Sequence, residues 1–289
     1  MEHGIVLRVF NNLYEVLINN QVFVCHKRKS VQFIMVGDNV YVEHSEESTV
    51  IVGILPRKNF LQRPSISNID KIIVIFSVKN PEYSFYMIDS FLVYFVNLGF
   101  NISIIFNKID LVEKEFLCPL KYYQKIGYGV WFLSALQSCK QVSLFKHSLR
   151  SQKIAFVGHS GAGKSTFINS LFPGLNLKTG RISEKLKKGK QTTKQCALCP
   201  IDQDVFVADT PGFSLAEIET ANLVDLAACF PEFLDPMKNC RFSNCLHLSE
   251  PGCIVRDFVQ NGKIVASRYE SYVKMMKVIE NKGKNKWHW

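Results

Sequence analysis

Two segments of this chain carry residue types suited to holding a nucleoside triphosphate. The first is Gly158-His159-Ser160-Gly161-Ala162-Gly163-Lys164-Ser165, which follows the apolar run Lys153 to Val157 and precedes the helical pattern Thr166-Phe167-Ile168-Asn169-Ser170-Leu171. Its glycines let successive backbone N–H groups curl around phosphates, and the helix N-terminus adds positive potential. Lys164 reaches the β and γ oxygens, and the Ser165 hydroxyl ligates magnesium. The second is Asp209-Thr210-Pro211-Gly212, closing the run that starts at Asp204. There a magnesium-side carboxylate and a γ-phosphate-sensing glycine N–H are expected. Between the two, Gly189-Lys190-Gln191-Thr192-Thr193-Lys194 supplies a switch hydroxyl, with Thr193 the first choice and Thr192 the second.

The base is chosen elsewhere. In Asn107-Lys108-Ile109-Asp110 an aspartate accepts two hydrogen bonds from the N1–H and exocyclic amine of guanine, a pair that adenine lacks. The Lys108 stem can lie along the base. Ser134-Ala135 resembles the loop that presents a backbone N–H to guanine O6. Both segments precede the phosphate loop, whereas an ordinary small GTPase has the loop first. The inversion implies GTP or GDP with Mg²⁺ on a circularly permuted P-loop domain.

A third constellation suits a metal. Cys240, Cys245, His247 and Cys253 have the spacing C-x4-C-x-H-x5-C, a Cys3His set for one tetrahedral Zn²⁺. With all four positions filled by protein, the zinc is expected to be structural. The total of nine cysteines is odd, so a disulfide framework is not expected. The remaining six read as scattered thiols, and Cys196-Ala197-Leu198-Cys199 reads better as a strand beside the switch than as half of a metal site.

These residues need elements to hold them. Short alternating runs over residues 1 to about 55, separated by Asn11-Asn12 and Asn19-Asn20, suggest about five meandering strands of OB-barrel size. His26-Lys27-Arg28-Lys29 is a basic loop, either a solvated turn or a phosphate contact. Leu55 to Ser65, with two prolines and three basic residues, reads as a linker. From Asp70, buried strands alternate with helices, the texture of a parallel sheet covered on both faces. Phe91 to Phe106 is apolar but interrupted by Asn97, Gly99, Asn101 and Ser103, so it reads as a helix ending at Gly99 followed by a strand, not a membrane span. The chain closes with an amphipathic helix carrying Tyr269, Tyr272, Val273 and Met276 on one face. The expected architecture is multidomain α/β: an OB-fold β-barrel over 1–64, a permuted GTPase domain over 65–216 and a mostly helical zinc-binding domain over 217–289.

A formal net charge of +10 favours a polyanionic partner, since clustered Lys and Arg release counterions from a phosphate backbone. Lys185, Lys187, Lys188, Lys190 and Lys194 crowd the switch segment. Without an apolar export signal at the start, the cytoplasm is the expected compartment.

The motif order resembles the circularly permuted GTPases, and over the whole chain it resembles the RsgA family of bacterial small-subunit ribosome-biogenesis GTPases. The residues that carry the likeness are the N-terminal barrel, Asn107 to Asp110, Gly158 to Thr166, the threonine pair, Asp209 to Gly212, and Cys240 to His247 with Cys253. The resemblance implies late 30S maturation, rRNA contact, GTP hydrolysis in response to the subunit, and a monomer. It also implies a departure. Family members commonly have His before the threonine pair as a candidate to orient the attacking water, and here Gln191 stands in that place. Phe213 follows Gly212, where Ras-like switches carry glutamine, so intrinsic turnover is expected to be slow. A GTP-regulated structural rRNA-binding protein with negligible hydrolysis is the alternative.

Overall fold

The computed structural model describes residues 1–45, 48–62, 64–137, 140–150, 152–173, 196–202, 205–209 and 225–285. The expectations placed on Gln191, Thr192, Thr193, Gly212, Phe213 and the switch lysines lie outside the described residues, as does the side chain of Asp209. The chain divides into two compact units, one comprising Met1–Ile73, Leu133–Val157 and Gly163–Gly212, the other Val74–Phe132, Gly158–Ala162 and Phe213–Trp289.

In the first unit, β1 (Glu2–Phe10), β2 (Leu13–Ile18), β3 (Gln21–Lys27), β4 (Asn39–His44) and β5 (Thr49–Ile54) form the expected barrel. Its neighbours run β1-β2-β3-β5-β4, and β1 pairs back onto β4 to close it. Tight hairpins demand positive φ, which asparagine tolerates better than most residues. Asn11, Asn19 and Asn20 take it, at 47°, 47° and 65°. Alternation then puts Tyr14, Val16 and Ile18 inside against Val6, Cys25, Val40, Val42 and Ile51.

The segment expected to be a linker is structured. Phe60–Leu61 (β6) pairs with Ile66–Ser67 (β7), and two of the basic residues that suggested flexibility, Arg57 and Lys58, are tied to Asp38 and Asp70. Buried Asp38 accepts from Arg57 Nε and Nη2 at 2.7 and 2.8 Å, from Ser67 Oγ at 2.6 Å and from the Met35 amide at 2.7 Å. Four donor atoms, two of them on the charged guanidinium, offset the desolvation of that carboxylate.

The same unit holds β11 (Lys153–Val157), β12 (Ala197–Asp202) and β13 (Val205–Asp209). β11 runs parallel to β13, β12 runs antiparallel to it, and Ala197 bridges to Arg8 of β1. Lys153 opens β11 with its ammonium donating to Gly37 O and Asn39 Oδ1, while its amide donates to Asp70 Oδ2. Burial lowers its pKa, and Asp70 and Asp38 oppose that shift.

The second unit contains the far part of β8 (Lys71–Ser77), then β9 (Ile102–Asn107) and β10 (Gly129–Phe132), with β9 and β10 parallel and in register. Helix α1 (Phe85–Asn97) is capped by the Ser84 hydroxyl, which accepts from the Met87 amide. It ends where Gly99 takes φ 74°, so the apolar stretch does divide into helix and strand. No described helix is long and apolar enough to cross a membrane.

The C-terminal region is only partly helical: 3-10 turns at Ala227–Cys229, Pro231–Phe233 and Pro236–Asn239 precede α5 (Ile254–Gln260) and α6 (Ala266–Asn285). (Helices α2, Tyr122–Lys125, α3, Lys140–His147, and α4, Lys164–Leu171, lie between.) A core of Leu226, Phe230, Phe233, Val255, Ile264 and Tyr272 takes in Val93 from α1. Through it passes an ion pair that composition did not announce. Arg268, 1 % exposed, donates to Asp89 of α1 at 2.5 Å and to both Glu232 oxygens at 2.6 and 3.2 Å. The Tyr123 hydroxyl also donates to Asp89, at 2.7 Å. Burial works against the Arg268 charge, but Asp89 and Glu232 outweigh it and hold the guanidinium well above its ordinary pKa. Asp89→Ala is expected to destabilise the fold by about 3 kcal/mol in urea unfolding, near the lower end for a broken buried pair because Glu232 remains; a loss below ~1 kcal/mol would show that α6 is anchored by apolar packing alone.

Candidate nucleotide site and metal knuckle

The phosphate loop follows β11 and opens α4. Gly158 and Gly161 have φ of 147° and 82°, conformations that side chains avoid. A Cβ on Gly158 would strike the Ile75 carbonyl, and one on Gly161 would lie 3.1 Å from Pro81 Cδ. Gly163 caps α4 in the left-handed region at φ 85°, and Lys164 is the first residue of the helix. His159 stacks on Phe76 at 6.2 Å between ring centroids, and its Nδ1 lies 2.8 Å from the Ser160 carbonyl. Ser160 is exposed, while Ser165 and Thr166 are half-buried in the first turn of α4. Burial pushes Lys164 down to about 8.

The base box sits at the end of β9. Asn107 is buried, and its Nδ2 donates to Ala162 O at 3.0 Å. Lys108, in the left-handed region at φ 65°, donates through Nζ to Gly161 O at 3.0 Å and also to Asn80 O. Two residues read as base contacts are therefore tethers of the phosphate loop as well. The Asn80-Pro81 turn completes the arrangement; an Asn-Pro dipeptide is a turn signal in any sequence, but nothing in its spacing ties it to this site.

Asp110 is exposed in the 3-10 turn Ile109–Leu111. It lines an open cleft of about 680 Å³ with Lys79, Glu82 and Phe116, within the size range of small-molecule sites. Ser134 is buried, and its hydroxyl accepts from the Leu136 amide at 3.3 Å; Ala135 is half-buried. Asp209 ends β13, beside the strand that feeds the phosphate loop.

The four metal-type residues converge, with all their donor atoms within 4.8 Å of one another. His247 Nδ1 lies 3.6 Å from Cys240 Sγ and 3.4 Å from Cys253 Sγ. Tetrahedral zinc with bonds of about 2.3 Å to sulfur and 2.0–2.1 Å to nitrogen spaces such atoms by roughly 3.6 Å, so the donor set fits. Burial lowers the His247 pKa, which favours the neutral ligand form, and pushes the Cys253 thiol up to about 12. His247 itself takes φ 58°. Glu250, which spacing did not single out, holds that turn by accepting from the amides of Leu246, Leu248 and Ser249 at 2.7, 2.9 and 3.0 Å. From α6 the hydroxyls of Tyr269 and Tyr272 donate to His247 O and Leu246 O, both at 2.7 Å. Cys199 lies within β12, with Cys196 just ahead of it.

A phosphate loop tethered by a base box that comes earlier in the chain defines a circularly permuted GTPase. Comparison with known proteins narrows this. The family model for RsgA GTPase matches residues 54–219. The small ribosomal subunit biogenesis GTPase RsgA of Alkaliphilus metalliredigens is 36 % identical over 96 % of this chain and 97 % of its own length. Its counterpart from a Geobacillus species is also 36 % identical, over 98 % and 99 %. The crystal structure of YjeQ from Thermotoga maritima superposes with a TM-score of 0.82 at 32 % identity, covering 96 % of this chain and 98 % of that one. YloQ, described as a circularly permuted GTPase, gives 0.80 at 28 % identity, covering 98 % and 96 %. The chain belongs to the RsgA GTPase family and is a GTP-hydrolysing enzyme.

The depressed Lys164 predicts a pH dependence. Bound phosphates favour the charged amine and raise its pKa, so binding takes up a proton once the free lysine has begun to titrate. GTP affinity is expected to be flat below about pH 8 and to fall as the pH rises through that value. It should be roughly tenfold weaker at pH 9 than at pH 7, by one proton's linkage. Calorimetric titration checks this; an unchanged affinity over that interval would show that Lys164 is fully charged before GTP arrives.

Proposed function

We propose that this chain hydrolyses GTP to GDP and phosphate while bound to the small (30S) ribosomal subunit, late in the subunit's maturation, and that the subunit stimulates the reaction. The observation that carries the reading is the double tether of Gly161 and Ala162 by Lys108 and Asn107, which joins base recognition to phosphate recognition in one rigid constellation. The names of the relatives supply the small subunit as the partner. The compartment proposed is the cytoplasm, and the working state a monomer.

In this reading Asp110 selects guanine, Ser134 and Ala135 present the O6 contact, and residues 158–166 hold the phosphates with Lys164 at the β and γ oxygens. Ser165, Asp209 and Thr193 or Thr192 would hold Mg²⁺, which supplies neutralisation of charge developing between the β and γ phosphates. Gln191 is assigned the orientation of the attacking water through its amide, and Gly212 the sensing of the γ-phosphate. Because the chain past Gly212 runs into the region of the knuckle, that sensing is proposed to bear on the knuckle's placement. Cys240, Cys245, His247 and Cys253 would hold one structural Zn²⁺, which closes the Cys240–Cys253 loop and leaves no open position for water.

Two experiments test the reading. Purified small subunits should raise the GTPase rate of the wild-type chain, and Gln191→Ala should abolish that rise. If the subunits leave the rate at its intrinsic level, the chain is better described as a GTP-regulated structural rRNA-binding protein. For base choice, Asp110→Asn should weaken GTP by at least about tenfold, the loss of a charge-assisted hydrogen bond, and shift preference toward xanthosine triphosphate. Undiminished GTP binding in competition titrations would remove Asp110 from the base site.

A further inference from the structure

Between β3 and β4 the barrel carries a loop whose only large apolar side chain facing outward is Phe33, 68 % exposed. Its neighbours show that apolar residues here can go inside: Val31, Ile34 and Met35 are 6, 4 and 3 % exposed. Phe33 is kept out by backbone pinning. Lys27 Nζ donates to Val31 O at 2.6 Å, the Arg28 amide to Ile51 O at 2.9 Å, and the Val31 amide to Arg28 O at 2.9 Å. Arg57 Nη2 donates to Phe33 O at 2.7 Å while the same guanidinium grips buried Asp38. The Phe33 carbonyl is thereby tied to the Asp38 lattice.

The exposed residues that lead into Phe33 are polar and basic. Ser30 and Gln32 are exposed ahead of it in the chain, and His26, Arg28 and Lys29 are exposed just before them. Arg28 meets Glu43 at 2.7 Å, but both side chains are at least 40 % exposed, so this ion pair is weak and a phosphate can replace the carboxylate. A protein interface of stable size needs a broader apolar patch than one ring. A single exposed aromatic on a pinned backbone, just after a basic stretch, instead matches a nucleobase and its flanking phosphates, since every base offers a π-face.

We propose that Phe33 is a stacking platform for an unpaired RNA base and that Arg28 and Lys29 bind the adjoining phosphates. The proposal rests on the reading of this chain as an rRNA-binding protein and identifies the surface by which the barrel makes that contact.

The test uses the full chain and protein-free small-subunit rRNA at fixed salt. Phe33→Ala should weaken binding at least about fivefold, the loss of one stacked base, with basal GTP hydrolysis unchanged. Phe33→Trp should keep the affinity and show an emission change on RNA addition larger than that of the wild type, which has three tryptophans of its own. Replacing Arg28 and Lys29 together by Ala should make the salt dependence shallower by about 1.5 in log–log slope. Equal affinities for wild type and Phe33→Ala would overturn the proposal and leave the rRNA reading standing. So would a loss seen with intact subunits but not with rRNA, which would assign Phe33 to a ribosomal protein. Absence of any wild-type binding to rRNA or subunits would overturn the rRNA reading itself.

Discussion

Two side chains of the base box hold the phosphate loop in place, and the nucleotide site depends on that hold. A phosphate loop is a run of backbone donors in conformations that most residues avoid, and it needs outside support to keep them aimed. Asn107 and Lys108 give it by taking the Ala162 and Gly161 carbonyls, while the Ala162 amide donates back to His159 O at 3.3 Å. Lys108 also takes Asn80 O, and Pro81 stands where a side chain on Gly161 would go. Base box, phosphate loop and the turn after β8 are therefore one constellation. Circular permutation changes the order in which the chain visits these pieces; it leaves the contacts among them available, because strand neighbours and loop ends can be kept while connections are moved.

The C-terminal region is secured by a different kind of interaction. Buried ion pairs add little net stability when compared with apolar residues of the same shape, yet they penalise misplacement heavily. Arg268 meets Asp89, Glu232 and, across the ring faces of Phe230 and Tyr123, two aromatic surfaces. Those partners come from α1, from a 3-10 turn and from α2, so only one seating of α6 satisfies the guanidinium. Tyr269 and Tyr272, the next residues on the same helix, grip the loop that carries His247. One helix thus fixes the knuckle relative to α1.

What could be read from the residues was the chemistry that lies in contiguous motifs. Gly158 to Ser165, Asn107 to Asp110 and the Cys3His spacing are local, and the strand-end and helix-start contexts they require are visible as apolar runs beside them. The barrel was legible for a similar reason, since alternation and paired asparagines mark both strands and turns. The lattice around Asp38 was not. Leu55 to Ser65 looks like a linker because proline and charge commonly mark one, whereas here the charge of Arg57 is consumed by a carboxylate 19 residues away. The Asp89–Arg268 pair spans 179 residues, and an aspartate within Phe85 to Phe95 carries no local sign of its partner. Glu250 is a milder case: its role is local, but it acts on backbone amides, which have no residue type to recognise.

Taken together, these contacts make α1 a shared element. Its N-terminal lead, Lys79 to Ser84, includes the carbonyl held by Lys108 and the proline beside Gly161. One turn into the helix, Asp89 is locked to Arg268. A rearrangement of that lead as the phosphate loop fills would reach Asp89 through barely one turn of helix, and a buried carboxylate held by a guanidinium and a tyrosine hydroxyl tolerates little intermediate displacement. The helix would move with its partner or the lead would absorb the strain. In the first case the displacement would pass through Arg268 to α6, whose Tyr269 and Tyr272 hold the loop of His247.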